Sequence, residues 1–600
     1  MKKLSKQIFS GLLVSALILS PLAGCANNTS ASSEAKQGAS TDESAASQTN
    51  ASATSKKYEK TIEATVFDTQ ANYQGVQTGW FGNIVKDKFN MTLNLIAPNV
   101  AGGGDTLFKT RSAAGNLGDI IMIGSENGRL SDTAKAGLLV DLTDKINNCP
   151  NLSQYPKATE MVKSLVTDGK VYAMPSQVSK QNPTTPSEGY DLTYGPYIRW
   201  DYYTAMGSPE INSMDDLLNV LKDMQKKYPK SDSGKKTYAF SFFKDWDGNM
   251  MCCAKNLLCC VNGYDEQGFQ FLSADGKTEQ SIIDEDSYYV KALKYMYKAN
   301  QMGLVDPDST TQNYDTMYSK YQDGQILYSM WPWLGQAAYN TPAHKKAGKG
   351  FMLAPVKGIK IFSYGCSQAG NKYVIGIGSK AQDPGRMLDF IDWLYSPEGV
   401  EMSCSQTAGS CGPKGLTWEM KDNKPVLTDF GKQALSGEKI NVPSKWGTGT
   451  WKNGISQLNF QAVQATDTDP NTNCSYNYTL WDSYLEDNKT PLDTSWQTTM
   501  KAKTTLEYLK QNDAYVVAPG NAYVPEAAGT EIDTLRNQCK AIIIQDSWKM
   551  AFAKDESEFN SLLQHMQKTV KGLGYDKVLA FDQKISDNYK DAREKATQGS

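Results

Sequence analysis

Gly118-Asp119-Ile120-Ile121-Met122-Ile123-Gly124 is the stretch that decides how this chain folds. Four consecutive apolar residues between glycines are too few for a helix. They do not alternate with polar residues either, which is the pattern of a strand covered on both faces. Upstream, Thr61-Ile62-Glu63-Ala64-Thr65-Val66-Phe67 and Met91-Thr92-Leu93-Asn94-Leu95-Ile96 alternate and read as further strands. Gly79 to Phe89 (GWFGNIVKDKF) and Asp105 to Ala114 read as helices between them. Strands alternating with helices predict an α/β architecture around a mostly parallel sheet.

Downstream, the helix signals are strong. Ser213 precedes Met214-Asp215-Asp216 and caps a helix reaching about Tyr228, with acidic residues in the first turn. Asp383-Pro384 opens another, with Met387, Leu388, Ile391 and Leu394 as its apolar stripe. From about Ser557, Phe559, Leu562, Leu563, Met566, Val570 and Leu573 share one face before Gly572 and Gly574 end the helix.

The chain has 600 residues, 40% hydrophobic and 21% charged, enough for a large protein of more than one domain. A net charge of -3 argues against nucleic acid as a partner. The first 25 residues are organised differently from the rest. Lys2, Lys3 and Lys6 precede an apolar run from Ile8 to Leu19, followed by Leu22-Ala23-Gly24-Cys25. These are the parts of a secretory signal peptide, and the run is short for a membrane span. Leu-Ala-Gly-Cys resembles the bacterial lipobox, which implies cleavage after residue 24, lipidation of Cys25 (palmitate among its acyl chains) and a firm membrane anchor. Residues 26–57, rich in Ser, Ala, Thr and Asn, read as a flexible tether.

Cys252-Cys253 and Cys259-Cys260 recur seven residues apart in a segment that reads as helical, and read as small core residues. A metal site or a disulfide is the alternative, and a Cys404–Cys411 bridge is another. The chain contains no CxxC, HExxH, GxSxG or Walker loop, and its two histidines, His344 and His565, have no triad-like neighbours in sequence. The chain therefore reads as a non-enzyme without a cofactor or metal.

Several segments in order carry a family resemblance: GDIIMIGSE (118–126), KAGLLVDLTDKI (135–146), DGKVYAMP (168–175), YIRWDYYTAMGSPEINSMDDLLNVLKDMQKKYP (197–229), DGQILYSMWPWLG (323–335), FMLAPVKG (351–358), DPGRMLDFIDWLYSPEG (383–399) and FNSLLQHMQKTVKGLGYDKV (559–578). Together they resemble the family 1 extracellular solute-binding proteins of bacterial ABC importers, in particular the lipoprotein branch serving carbohydrate uptake. The resemblance implies a two-lobed, type II periplasmic-binding-protein-like α/β fold with the ligand in a cleft between lobes. It implies a monomer on the outer face of the cytoplasmic membrane, taking an oligosaccharide and delivering it to permease subunits with a cytoplasmic ATPase. A binding protein for a peptide or metal chelate, or a surface glycoside hydrolase or lyase, is the alternative. The expected segmentation is 1–24 signal peptide, 25–57 lipidated Cys and linker, 58–195 and 351–412 lobe 1, 196–350 and 413–530 lobe 2, and 531–600 a C-terminal helical segment. Crossing strands are expected near Arg199 and near Pro355 to Gly370.

Sugar recognition needs flat aromatic faces and planar polar side chains. Trp331-Pro332-Trp333, after an expected strand Gln325 to Met330, is the sharpest cluster. Ser125 and Glu126 follow the apolar strand and are expected in a cleft loop, since open α/β sheets bind at strand ends. Trp80, Trp246 and Trp418 are further candidates for ring stacking, and Arg199 a polar contact or the ion-pair partner of Asp201. Trp446 and Trp451 are weaker. In some relatives a loop after the helix ending here at Tyr228 binds calcium. Lys230 to Lys236 carries one carboxylate, Asp232, too few for that ion. Asp467-Thr468-Asp469-Pro470-Asn471 is a second oxygen-rich turn.

Overall fold

In the computed structural model, which describes residues 58–101, 104–403 and 409–598, the strands Ile62–Asp68 (β1), Met91–Ile96 (β2) and Ile120–Gly124 (β3) form where the sequence places them. The signal peptide, Cys25, the linker and Cys404 lie outside the described residues. β1 pairs in parallel with β2, from Ile62↔Met91 to Phe67↔Ile96, and with β3, from Val66↔Ile120 to Asp68↔Met122. All five residues of β3 are buried, as a glycine-bounded apolar run requires. The crossover helix Gly79–Phe89 buries Trp80, Phe81, Val85 and Phe89 against the sheet. It ends at Asn90, whose φ of 45° gives the left-handed turn into β2.

The sheet is less parallel than expected. Tyr373–Ile377 pairs antiparallel with β3, and Ala173–Pro175 antiparallel with Tyr373–Ile377. Gly75–Val76 adds an antiparallel edge beside β2. A strand returning from a distant part of the chain needs no crossover helix, so its direction leaves no local trace in sequence.

Among the described residues two large hydrophobic cores are present. One gathers this sheet with residues 387–400 and 416–476. The other gathers residues 192–362 and 492–578. The chain passes between them three times: between Val178 and Leu192, between Phe362 and Val374, and between Tyr476 and Leu492. These changeovers correct the expected segmentation. Residues 351–362 belong with the second core, and 416–476 with the first. Apolar patterning shows that an element packs but not against which core. The passages lie side by side. Pro186 bridges Gly365, Gln464 donates to the Ser187 carbonyl (2.9 Å), and the Tyr190 hydroxyl donates to the Leu480 carbonyl (3.0 Å). Arg199 is not on a passage but in the strand Tyr197–Arg199, inside the second core.

The caps form as read. Ser213 accepts the Asp216 N–H (3.1 Å) ahead of the helix Met214–Lys227, and Asp383 accepts the Arg386 N–H (3.1 Å) ahead of Pro384–Leu394. That second helix buries Phe390 and Trp393 as well as Met387, Ile391 and Leu394, while Leu388 is only half-buried. Glu556–Gly572 buries Phe559, Leu563, Met566 and Val570. The chain then turns at Gly574 (φ 97°) into a last helix, Tyr575–Thr597, which the sequence reading did not separate. The cysteine segment is not one regular helix. Cys252–Ala254 is a single turn continued by the π-helical turn Lys255–Cys259, with Cys253, Cys259 and Cys260 fully buried. Among the described residues no group of three or more His, Cys, Asp or Glu could hold a metal ion, and no helix is long and apolar enough to cross a membrane.

Candidate functional site

The sequence Ser329-Met330-Trp331-Pro332-Trp333 places two indoles at a strand-to-helix junction. The strand is short, Tyr328–Ser329, and Pro332 opens the helix Pro332–Tyr339. Ser329 Oγ accepts the Gly335 N–H (3.1 Å) and donates to the Trp331 carbonyl (2.8 Å), which fixes the turn. Trp331 is 3% exposed and Trp333 41%, and their rings stack at 4.7 Å with 20° between planes. The inner ring thus supports the outer one.

Trp246 joins them from the loop Lys244 to Gly248. Asp245 accepts the Tyr314 N–H (2.8 Å), and Asp247 accepts both the Cys252 N–H (2.9 Å) and the Trp548 indole N–H (2.7 Å). Carboxylates on both sides pin the loop, leaving Trp246 46% exposed. Its ring stacks on Tyr314 at 4.7 Å and lies 5.8 Å from Trp333 at a 40° tilt. Large apolar side chains this exposed are few in the described residues: only Val76, Val100, Trp246 and Trp333. Two of the four sit together, and such a patch signals a binding surface. Sequence reasoning missed Tyr314, which is one tyrosine among 32.

A cavity of about 750 Å³ extends from Trp333 along the passages between the cores. Gln336, Asn340, Asn477 and Gln497 supply planar amides to it, and Glu188 and Asp191 supply carboxylates. Glu188 accepts from the Ser363 (2.7 Å) and Thr193 (3.2 Å) hydroxyls. Burial pushes the Glu188 and Asp191 carboxyls up from their ordinary range.

Ser125 and Glu126 follow the end of β3, as expected, on the first core's sheet. The Ser125 hydroxyl is buried with no hydrogen-bond partner among the described residues. Glu126 lines a smaller cavity, about 190 Å³, with Arg129 and Tyr373, and lies 3.8 Å from Lys372. None of the three clustered tryptophans lines it. Beside it β1 ends at Asp68, which accepts the Gln70 (2.8 Å) and Ala71 (3.1 Å) N–H groups. Burial raises the Asp68 carboxyl to about 6.

Three expected contacts are structural instead. Trp80 is fully buried, stacked on Trp451 at 4.7 Å with its indole N–H on the Trp451 carbonyl (3.1 Å). The helix it opens turns its apolar face to the sheet, and Trp80 goes with it. Trp418 is 1% exposed, packed with Trp481 and donating to the Gly412 carbonyl (2.9 Å). Arg199 is buried between Tyr202 and Tyr339, 4.0 Å from each ring centroid, and is paired with Asp201 (2.8 Å). Its ion-pair reading is the one that fits. In the loop after Tyr228, Ser231 and Ser233 donate to Asp323 (2.8 Å each), and Asp232 accepts from Tyr339 (2.9 Å). Asp467 is taken up by Ser179 (2.5 Å) and the Lys180 N–H (2.7 Å).

The family model described as bacterial extracellular solute-binding protein matches residues 86–413. No curated protein matches. Among solved structures, the HMO-binding, ABC-transporter-associated solute-binding protein of Bifidobacterium longum infantis is similar with a TM-score of 0.58 at 15% identity, over 89% of this chain and 100% of that one. The S. pneumoniae ABC-transporter substrate-binding protein FusA, in complex with kestose, gives 0.57 at 15% identity, over 88% and 99%. The alginate-binding protein AlgQ2 gives 0.53 at 13% identity, over 88% and 99%. The two-lobed α/β fold expected from the sequence is the fold of these proteins.

Proposed function

Because this chain belongs to the bacterial extracellular solute-binding proteins, we propose that it captures an oligosaccharide between its two cores and delivers it to the permease of an ABC importer. The observation that carries the carbohydrate reading is the exposed pair Trp246 and Trp333, backed by Trp331 and Tyr314, with Trp333 itself lining an amide-bearing cavity. Aromatic faces take the apolar side of a pyranose, and amides and carboxylates take its hydroxyls. The relatives named for HMO and found with kestose support the same class.

In this reading Ser125 and Glu126 supply contacts from the first core, and the passages near 178–192, 362–374 and 476–492 bend as the lobes close. Contacts on both sides give the closed form its differential affinity for ligand. Cys25 carries the lipid that keeps this monomer on the outer face of the membrane, with residues 26–57 as tether.

A thermal-shift screen of the purified protein against plant and microbial oligosaccharides tests this. A ligand at a hundredfold excess over Kd stabilises by about 2.7 kcal/mol. Trp246→Ala and Trp333→Ala should each weaken the sugar found by about 2 kcal/mol, some thirtyfold, with melting points of the free protein little changed. Unchanged affinity in both variants would refute the stacking role.

A further inference from the structure

The edge of the first core's sheet carries a cavity larger than the one beside Glu126. β1 and β3 end at this edge, at Asp68 and Gly124. Ala173–Pro175 runs the same way as β3, since both pair antiparallel with Tyr373–Ile377, and it ends there too. The carboxyl ends of strands are where open α/β sheets bind ligands. Residues just past these ends, with neighbours, line a space of about 310 Å³: Gln70, Ser176, Gln177, Asn371, Tyr373 and Gln461. Among the described residues no Asp, Glu, Lys or Arg lines it.

The amides are held in order. Asn371 donates to the Gln177 side-chain oxygen (2.9 Å), and Gln177 donates to that of Gln461 (3.4 Å). Gln177 keeps this place with a φ of 53°, in the left-handed region that a residue other than glycine enters at a cost, and such strain collects at binding sites. The lining is not saturated. The Ser176 and Tyr373 hydroxyls and the Gln70 side-chain amide have no hydrogen-bond partner among the described residues. Ser176 is 5% exposed, and what it exposes faces the cavity. The buried Ser125 hydroxyl, likewise unpartnered, stands beside this wall: its N–H donates to the carbonyl of Lys372 (2.8 Å), the residue between Asn371 and Tyr373. Buried polar groups are ordinarily satisfied, so open donors and acceptors gathered around one cavity call for a ligand that supplies both.

We propose that this cavity is a second sugar subsite, taking one uncharged ring of the oligosaccharide by its hydroxyls, and that Gln70, Ser176, Tyr373 and Gln461 read those hydroxyls. A sugar hydroxyl donates and accepts at once, and so do the amides and hydroxyls that face it. A uronate or an ammonium would lose its water here and gain no countercharge. The volume lies at the low end of ligand pockets, roughly 300–1,000 Å³, which suits one ring rather than a chain. The subsite flanks the same passage as the cavity beside Trp333: Gln177 lines it just before Val178, and Glu188 and Asp191 line the other just before Leu192. Recognition is thereby divided. Aromatic faces on the second core accept a ring, and amides on the first choose among rings by their hydroxyls. This inference rests on the carbohydrate reading and narrows it to a ligand with a neutral ring.

The test begins with thermal shifts of the purified protein against cello-, manno-, xylo-, galacto- and maltotetraose and against the tetramers of galacturonate and mannuronate. The neutral tetramer with the largest shift is then titrated calorimetrically into Gln70→Ala, Ser176→Ala, Gln461→Ala and Trp333→Ala. Each of the first three should weaken binding about three- to tenfold, the loss of one or two hydrogen bonds. The uronate tetramers should give no shift. Unchanged affinity in Gln70→Ala, Ser176→Ala and Gln461→Ala, with a loss in Trp333→Ala, would overturn the subsite and leave the carbohydrate reading standing. A uronate tetramer bound more tightly than every neutral one would overturn the uncharged ring. No shift with any tetramer would overturn both readings. Gln70 and Gln461 are only half-buried and tolerate truncation, so they decide the matter if Ser176→Ala does not fold.

Discussion

At the residue scale, tryptophans that look alike in sequence do unlike things. Trp80 and Trp333 each open a helix after a strand, yet one is buried against Trp451 and the other faces solvent. What separates them is the partner. Trp80 begins a helix whose apolar face is pressed onto the sheet, whereas Trp333 is propped outward by Trp331. Trp80→Ala should therefore cost about 3–5 kcal/mol of stability, the range for a buried aromatic, without a direct loss of ligand affinity. Chemical denaturation alongside a binding titration checks both. Trp331-Pro332-Trp333 was legible because two indoles around a helix-opening proline must lie at a strand end. The contributions of Tyr314 and Glu188 were not, because Tyr314 meets Trp246, and Glu188 shares a cavity with Trp333, only through segments far apart in sequence, which no local pattern records.

At the element scale, the first half of the chain was the easiest to read. The apolar run of β3, the alternation of β1 and β2, and the caps Ser213 and Asp383 are local signals, and the elements appear where those signals place them. The antiparallel return of Tyr373–Ile377 and the allegiance of 416–476 to the first core were not visible, being decided by long-range packing. The exit turn of β1 makes a testable case. Asp68 closes that turn by accepting two N–H groups, yet it is buried and its carboxyl is lifted from 3.8 to about 6. The native state therefore holds this proton more tightly than the unfolded chain, and ionising it weakens the fold as pH rises through that window. Asp68→Asn keeps an oxygen for both N–H groups and removes the charge. It should stabilise the protein by about 1–3 kcal/mol near neutral pH, with the gain fading to nothing below about pH 4. Melting curves across that range measure it; a gain independent of pH would show that the Asp68 charge is not the cause.

At the scale of the whole molecule, three passages join two separately packed cores among the described residues, and the cavity beside Trp333 runs along them. Closure about these passages predicts that saturating ligand lowers the radius of gyration in small-angle scattering, while an unchanged radius would mean that the lobes are already closed when empty. The same passages have a consequence for how the protein is made. The first core begins with Ile62 but is finished only by residues near Tyr476, and the second begins at Leu192 and is finished only by Val578 in the last helix. A chain emerging from the ribosome N-terminus first cannot complete either core until most of it has been synthesised. Early segments must wait for partners hundreds of residues away, which makes folding slow and dependent on long loop closures. That delay would suit the export that the signal-peptide reading of residues 1–24 expects, because the nascent chain would stay open until nearly all of it had crossed.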